Sequence, residues 1–357
     1  MNEGKSISIV TMELGWGGAE RVLSELMKEW VRTGNKVTLV QTRPGIFGES
    51  YPIPEGVNNI TFQIKSRNRF EQYAKEIIAL FRYMKNNPDT SMLAFSNASI
   101  RIVAVCSMFF HNRIVFSERN DPRHSPQTEF LRWLRYKLYN LADTCVFQTH
   151  QAMSLFPKKV QKKGIVIPNP VNPDLPPAHN GERNKTIITA CRLEPQKNLS
   201  MLINAFAMLH KSNPDYLLEI YGEGSEYEKL QGLINQLGLA DYACLKGRTL
   251  SIYEVMKNSA IYVCSSDYEG LSNSLIEALA LGMSVISTDH PIGGASEMIE
   301  DHVNGLLIPV GDVNALYYAM KYLIENPDAA RQLAENASHI KEKWPIEKIA
   351  QKWLTIL

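Results

Sequence analysis

Short apolar runs alternate with stretches of helical periodicity along this chain, and the alternation occurs as two successive series. In the first half the runs fall at residues 5–11, 36–41, 92–95, 113–117, 144–148 and 165–167, with an amphipathic stretch at 19–32 that Gly34 closes. Strands that alternate with helices build parallel sheets, because a parallel neighbour is reached only by a crossover. A proline-rich passage ends at Pro177, and the polar, turn-rich residues 178–185 read as a linker. A second series then follows at 186–190, 217–221, 242–245, 260–264, 284–288 and 306–309. At 357 residues the chain exceeds one ordinary core. The expected fold class is α/β, with two Rossmann-like doubly wound domains at 1–177 and 178–340 and an amphipathic helix in the segment 341–357.

Composition narrows the function classes. No apolar run approaches the roughly 18 residues that span a bilayer, and the first residues carry no secretory pattern, so a cytoplasmic protein is expected. The five cysteines are widely spaced, without the pairing that zinc or redox motifs need, and read as core residues in a reducing compartment. Residues 1–170 hold 23 Lys plus Arg against 14 Asp plus Glu, whereas residues 171–357 hold 15 against 23, so the halves carry +9 and −8. A basic first half suits an anionic partner, although chance drift of charge gives the same numbers. There is no recognised nucleic-acid module.

Chemistry concentrates in turns that follow the apolar runs. In the segment 265–282, Glu269 and Glu277 lie eight apart across Gly270 and Leu271, at the C-terminal end of one strand and the start of a helix. Ligands bind at that edge of open α/β sheets, beside free helix amides. Ser274 and Glu277 also fit a capping box, which would leave Glu277 a purely structural task. Arg192 and Lys197, five apart on the loop after the first strand of the second series, suit a diphosphate or are incidental surface charges. Gly222 and Gly224 permit close backbone approach, as do Gly17 and Gly18 after the first strand, and Arg248 ends the strand that follows Gly224. All of these also fit ordinary strand-to-helix turns. The first turn is not a dinucleotide fingerprint, because Glu20 occupies the place of the third glycine. No Asp-x-Asp pair offers a magnesium handle, so no metal and no cofactor is expected.

With these motifs the chain resembles the family 4 retaining glycosyltransferases of GT-B fold, from residue 5 to the C-terminus. Glu269, Gly270 and Glu277 carry the resemblance, with Arg192, Lys197, Gly222, Gly224 and the stretch from Gly17 to Arg21. Asn169, the Ser117 to Asn120 stretch and the Val303 to Leu307 stretch are lesser landmarks. Within the family it is most similar to bacterial enzymes that extend lipid-linked glycans, including N-acetylgalactosamine transferases of protein N-glycosylation.

The resemblance implies two domains facing across a cleft, with the final helix returning to the first. It implies that Arg192 and Lys197 bind a nucleotide-sugar diphosphate, Glu277 the ribose, and Glu269 the transferred sugar. Backbone amides of Gly270, Leu271, Ser272 and Asn273 would meet sugar and phosphates, with Gly17, Gly18, Asn169, Gly222, Gly224 and Arg248 as further donor-binding positions. Arg119 stands where many relatives carry a histidine that touches the donor sugar. A guanidinium cannot act as a base, so that contact would pass to Glu118 or Asn120. The implied activity is metal-independent transfer of a hexose or N-acetylhexosamine, N-acetylgalactosamine first among them, from a UDP-sugar to a growing lipid-linked glycan. A catalytically silent glycan-binding subunit and a nucleotide-sugar epimerase of the same fold are the alternatives.

Two basic stretches concern the acceptor. Residues 73–85 and 130–137 mix aromatic and aliphatic side chains with Lys and Arg. Such helices suit the cytoplasmic face of an anionic membrane or a lipid diphosphate, and they equally suit packing on a sheet with solvated charges.

Overall fold

The computed structural model describes residues 4–15, 17–43, 45, 50–126, 128–179 and 181–357. The chain divides into two compact units, Met1–Pro170 with Ile346–Leu357, and Val171–Pro345. The division precedes the expected linker at 178–185, because the proline-rich passage already belongs to the second unit: the Val171 amide donates to the Trp344 carbonyl at 2.9 Å. The last segment likewise starts at Ile346 rather than at residue 341.

The first unit is a parallel sheet of β1 (Ser6–Thr11), β2 (Lys36–Gln41), β3 (Asn58–Thr61), β4 (Ser91–Ala94), β5 (Ile114–Ser117), β6 (Thr144–Phe147) and β7 (Gly164–Val166), in the order β3-β2-β1-β4-β5-β6-β7. The strand order reverses between β1 and β4. Register keeps apolar residues level, with Ile7 opposite Val37 and Ile9 opposite Leu93. Strand β3 escapes the apolar-run criterion because its residues, Asn58 to Thr61, are polar but for Ile60 and none is fully buried. An edge strand needs only one partner, and β3 takes its register from β2.

The second unit is a parallel sheet of β8 (Asn184–Ala190), β9 (Leu217–Tyr221), β10 (Ala243–Gly247), β11 (Ser259–Cys264), β12 (Ser284–Thr288) and β13 (Leu306–Ile308), in the order β10-β9-β8-β11-β12-β13. Here the reversal lies between β8 and β11. Ile187, Leu218, Val263 and Ile286 from the strands meet Phe206 and Leu316 from the helices in one core. The five cysteines are unbridged, and burial pushes the Cys106 and Cys145 thiols up to about 12.

The helix Ile346–Leu354 packs on the first unit. It buries Ile346, Ile349, Ala350 and Trp353 on one face. The Trp353 ring lies 6.5 Å from Trp30 and 5.9 Å from Phe95, while Trp30 Nε1 donates to the Ala350 carbonyl at 3.1 Å. Truncating a buried tryptophan costs about 3 to 5 kcal/mol. Trp353→Ala should therefore lower the denaturant midpoint of the first unit, and an unchanged midpoint would show that this helix adds nothing to that unit's stability.

Candidate active site

Where strand order reverses, the loops leaving the two central strands diverge and open a crevice at their C-terminal ends. In the second unit those loops follow β8 and β11. They are latched together: the Asp267 amide donates to the Gln196 carbonyl at 2.9 Å, Ser265 Oγ to the Lys197 carbonyl at 2.8 Å, and Asn198 Nδ2 to Asp267 Oδ1 at 2.7 Å. Asn198 takes a left-handed φ of 45°, a conformation asparagine tolerates, and its side chain caps the helix Leu199–His210.

The latch presses Lys197 against Glu269. Lys197 Nζ donates to Glu269 Oε1, which also accepts from Ser266 Oγ at 3.0 Å, while Gln196 Nε2 reaches Oε2 at 3.1 Å. The two side chains are only 12% and 11% exposed. Burial is the largest influence on Glu269 and opposes its charge, yet Lys197, His290 and Ser266 together outweigh it and hold the carboxyl below its ordinary range. Burial likewise opposes the Lys197 charge, and Glu269 more than restores it. Both groups are ionic at neutral pH.

Beyond β12, His290 is 1% exposed. Its Nδ1 lies 3.5 Å from the Pro291 carbonyl, and its Nε2 is buried with no hydrogen-bond partner among the described residues. Burial lowers its pKa more than the charge of Glu269 raises it. The loop carrying it lies directly on the Gly270 backbone: a Cβ on Gly294 would come within 2.0 Å of the Gly270 carbonyl oxygen and 2.7 Å of His290 Cε1. No local sequence pattern marks His290, Gln196 or Ser266, which the fold alone gathers around Glu269.

Glu277 is not in a capping box. The helix Asn273–Ala280 begins after Ser272, which makes no side-chain cap, so Glu277 falls past the first turn. Its carboxylate is buried and accepts from the Tyr253 hydroxyl at 3.4 Å, which in turn accepts from Asn172 Nδ2 at 3.0 Å. Leu271 and Ser272 are buried beside it. Arg192 is exposed, and among the described residues its guanidinium makes no hydrogen bond or ion pair. The glycine turn after β9 has a packing reason. A Cβ on Gly222, whose φ is 132°, would lie 1.8 Å from the Cys191 carbonyl oxygen, and one on Gly224 would lie 2.3 Å from that of Leu193. These glycines thus let one loop brace the loop that carries Arg192. Arg248 is half-exposed and 3.2 Å from Glu223.

The remaining expected positions lie in the first unit. Gly17 is the N-cap of the helix Gly18–Arg32, without a side-chain cap bond, and Trp16 between Gly15 and Gly17 lies outside the described residues. Arg119 follows β5 and is buried over the Phe95 ring at 4.7 Å, donating from Nη2 to Asn169 Oδ1, which Gln148 also reaches at 2.9 Å. Burial pulls its pKa down to about 9, so the group is a cation at neutral pH. Glu118 cannot readily take over a sugar contact. Its carboxylate is enclosed by Arg135 and Tyr139, each at 3.3 Å. Among the described residues, no three His, Cys, Asp or Glu side chains gather as a metal site requires.

Residues 16–175 match the description Glycosyltransferase Family 4, and residues 173–340 match Glycosyl transferases group 1. The chain is 28% identical, over 95% of each chain, to the Campylobacter jejuni N-acetylgalactosamine-N,N'-diacetylbacillosaminyl-diphospho-undecaprenol 4-alpha-N-acetylgalactosaminyltransferase. To an uncharacterized glycosyltransferase of Haemophilus influenzae it is 29% identical over 62% of its own length, a match that spans 63% of that protein. The crystal structure of Anabaena HepE in complex with UDP-glucose superposes with a TM-score of 0.83 at 20% identity, covering 99% of this chain and 100% of that one.

Removing one partner of a buried ion pair costs about 3 to 5 kcal/mol, because the other charge is stranded. Lys197→Met should show that loss in denaturant melts, and adding Glu269→Gln should recover part of it; strictly additive losses would deny the coupling. The pair's stabilisation is lost as pH falls through the lowered Glu269 value and as it rises through the raised Lys197 value. His290 adds a separate term. Its folded value lies below the ordinary 6.5, so in the window beneath 6.5 the unfolded chain binds more protons and stability falls with pH. In His290→Asn the melting temperature should decline less steeply from pH 6.5 downward than in the parent, and parallel curves would remove His290 from the acid response.

Proposed function

The chain belongs to the family 4 glycosyltransferases and has their GT-B fold, and on that footing we propose that it is a retaining, metal-independent transferase of a hexose or N-acetylhexosamine from a UDP-sugar to a growing lipid-linked glycan. The observation that carries the reading is the Lys197 to Glu269 pair at the strand-order reversal of the second unit. A buried cation and a buried carboxylate side by side meet the two ends of a sugar diphosphate. N-acetylgalactosamine is the first donor sugar to test, because the Campylobacter relative transfers it to a diphospho-undecaprenol glycan. UDP is the expected nucleotide, supported by the UDP-glucose bound to HepE.

In this reading Lys197 turns toward the diphosphate with Arg192, and together they neutralise it as the sugar–phosphate bond breaks. Glu269 accepts from hydroxyls of the transferred sugar. Glu277, oriented by Tyr253, takes the ribose hydroxyls, and the amides from Gly270 to Asn273 at the helix N-terminus face sugar and phosphates. The departing phosphate oxygen accepts the acceptor hydroxyl's proton as the new glycosidic bond forms on the same face, leaving protonated UDP. The protein's contribution is to position the reactants and stabilise charge.

The acceptor would be held by the first unit. Its exposed Phe70, Phe130 and Trp133, at 89%, 67% and 54%, and its excess of Lys and Arg support peripheral contact with an anionic membrane. Among the described residues no helix is long and apolar enough to cross a membrane.

Incubation with UDP-sugars and a lipid-linked acceptor should yield an extended glycan, and UDP should raise the melting temperature where GDP does not. Neither product nor released UDP with any donor would end the transferase reading. Glu269→Gln should cost more than about 1 kcal/mol of transition-state stabilisation in kcat/KM, since an ionic acceptor near developing charge is lost. Unchanged kinetics would take Glu269 out of the sugar site.

A further inference from the structure

Between the helices Asn97–Ser107 and Glu129–Tyr139 of the first unit lies a slot of about 90 Å³. Ile100, Pro126, Leu131, Leu134 and Leu138 line it, and Arg101 stands among them. Arg101 is half-buried, and its Nε is shielded from water with no hydrogen-bond partner. Among the described residues its guanidinium makes no hydrogen bond and no ion pair, and Tyr73 is a titratable group that feels its charge. Arg135, the other cation at the slot, is committed to Glu118 and to the carbonyls of Pro122 and Ser125.

A partly dehydrated cation normally recruits a carboxylate or a carbonyl, because burial without a partner is costly. An apolar slot beside an uncompensated guanidinium matches a ligand that is itself anionic at one end and hydrocarbon next to it. The slot starts at Asn97, just past the C-terminal end of β4, on the sheet edge where ligands bind. It runs along a helix whose outer face bears the stacked Phe130 and Trp133 rings, 6.0 Å apart, with Lys137 over Trp133 at 5.6 Å.

The geometry points to a subsite for the lipid end of the acceptor: Arg101 takes a phosphate of an isoprenoid diphosphate, and the slot takes the first part of its hydrocarbon chain. Its volume suits a single chain rather than paired acyl chains, which favours the acceptor over a bilayer phospholipid. The inference rests on the lipid-linked acceptor of the proposed function.

Farnesyl diphosphate and inorganic diphosphate, titrated by calorimetry into the full chain without any sugar donor, separate this subsite from transfer activity. Farnesyl diphosphate should bind at least about tenfold more tightly than inorganic diphosphate, the margin that hydrocarbon burial supplies. Leu134→Phe should erase that margin and leave inorganic diphosphate binding unchanged, while Arg101→Gln weakens both about tenfold. Among the described residues the Arg101 guanidinium has no bonded partner to lose, so its variant reports even where Leu134→Phe perturbs folding. Equal binding of the two diphosphates by the parent chain would overturn the subsite, as would parental affinity in Arg101→Gln. Vesicles of phosphatidylcholine and phosphatidylglycerol form the last arm. If they bind through Leu134 while farnesyl diphosphate does not bind, the slot belongs to bilayer lipid and the inference fails.

Discussion

Lys197 and Glu269 share a site from which water is largely excluded, and each is tolerable there only because of the other. Either charge alone would pay the full desolvation penalty of a low-dielectric interior. The surrounding loops are arranged to keep the two in register. Asn198 ends one turn in a left-handed conformation and reaches across to Asp267, while Ser265 grips the Lys197 carbonyl from the opposite loop. Behind these polar ties, the sheet order brings the ends of β8 and β11 side by side. The ion pair is therefore held by topology first and by hydrogen bonds second. A diphosphate arriving at Lys197, as proposed, would compete with a carboxylate already in contact, so its binding and the charge state of Glu269 would be one linked equilibrium.

His290 extends that coupling. In the proposed mechanism, drawing Lys197 toward a phosphate would leave Glu269 with Ser266 and Gln196 but without its neighbouring cation. The imidazole is the next titratable group to feel that change. Burial and the lack of a hydrogen-bond partner for Nε2 among the described residues both favour the neutral imidazole.

Much of this architecture is legible in the residues. The apolar runs that become β1, β2, β8, β11 and β12 are largely buried on both faces, and such strands announce themselves without an alternating pattern, whereas β9 alternates, with Leu218 and Ile220 buried and Leu217 exposed. Strand β3 does not, because an edge strand with Asn58 and Asn59 exposed needs no apolar face. Glu269 and Lys197 stood out as charges placed just past apolar runs, and the fold brings them into contact. Glu277 misled because a serine three residues before a glutamate imitates a helix start, whereas the helix begins one residue before that serine and uses no side-chain cap. Gly222 and Gly224 read equally as phosphate-facing or structural. Their missing side chains in fact clear the carbonyls of Cys191 and Leu193. His290 and Arg101 carried no signal, since what singles them out is a missing partner, and only three-dimensional neighbours reveal that.

The return of Ile346–Leu357 to the first unit has a consequence for how this protein is made. Trp30 waits for Ala350 and Trp353, and the side chain of Lys5 waits for the Leu357 carbonyl at 3.3 Å. A ribosome delivers every residue of the second unit before it delivers that closing segment. The second unit, continuous in sequence, can complete its core while the first still has an open apolar face around Trp30, so the unit begun first is the one finished last.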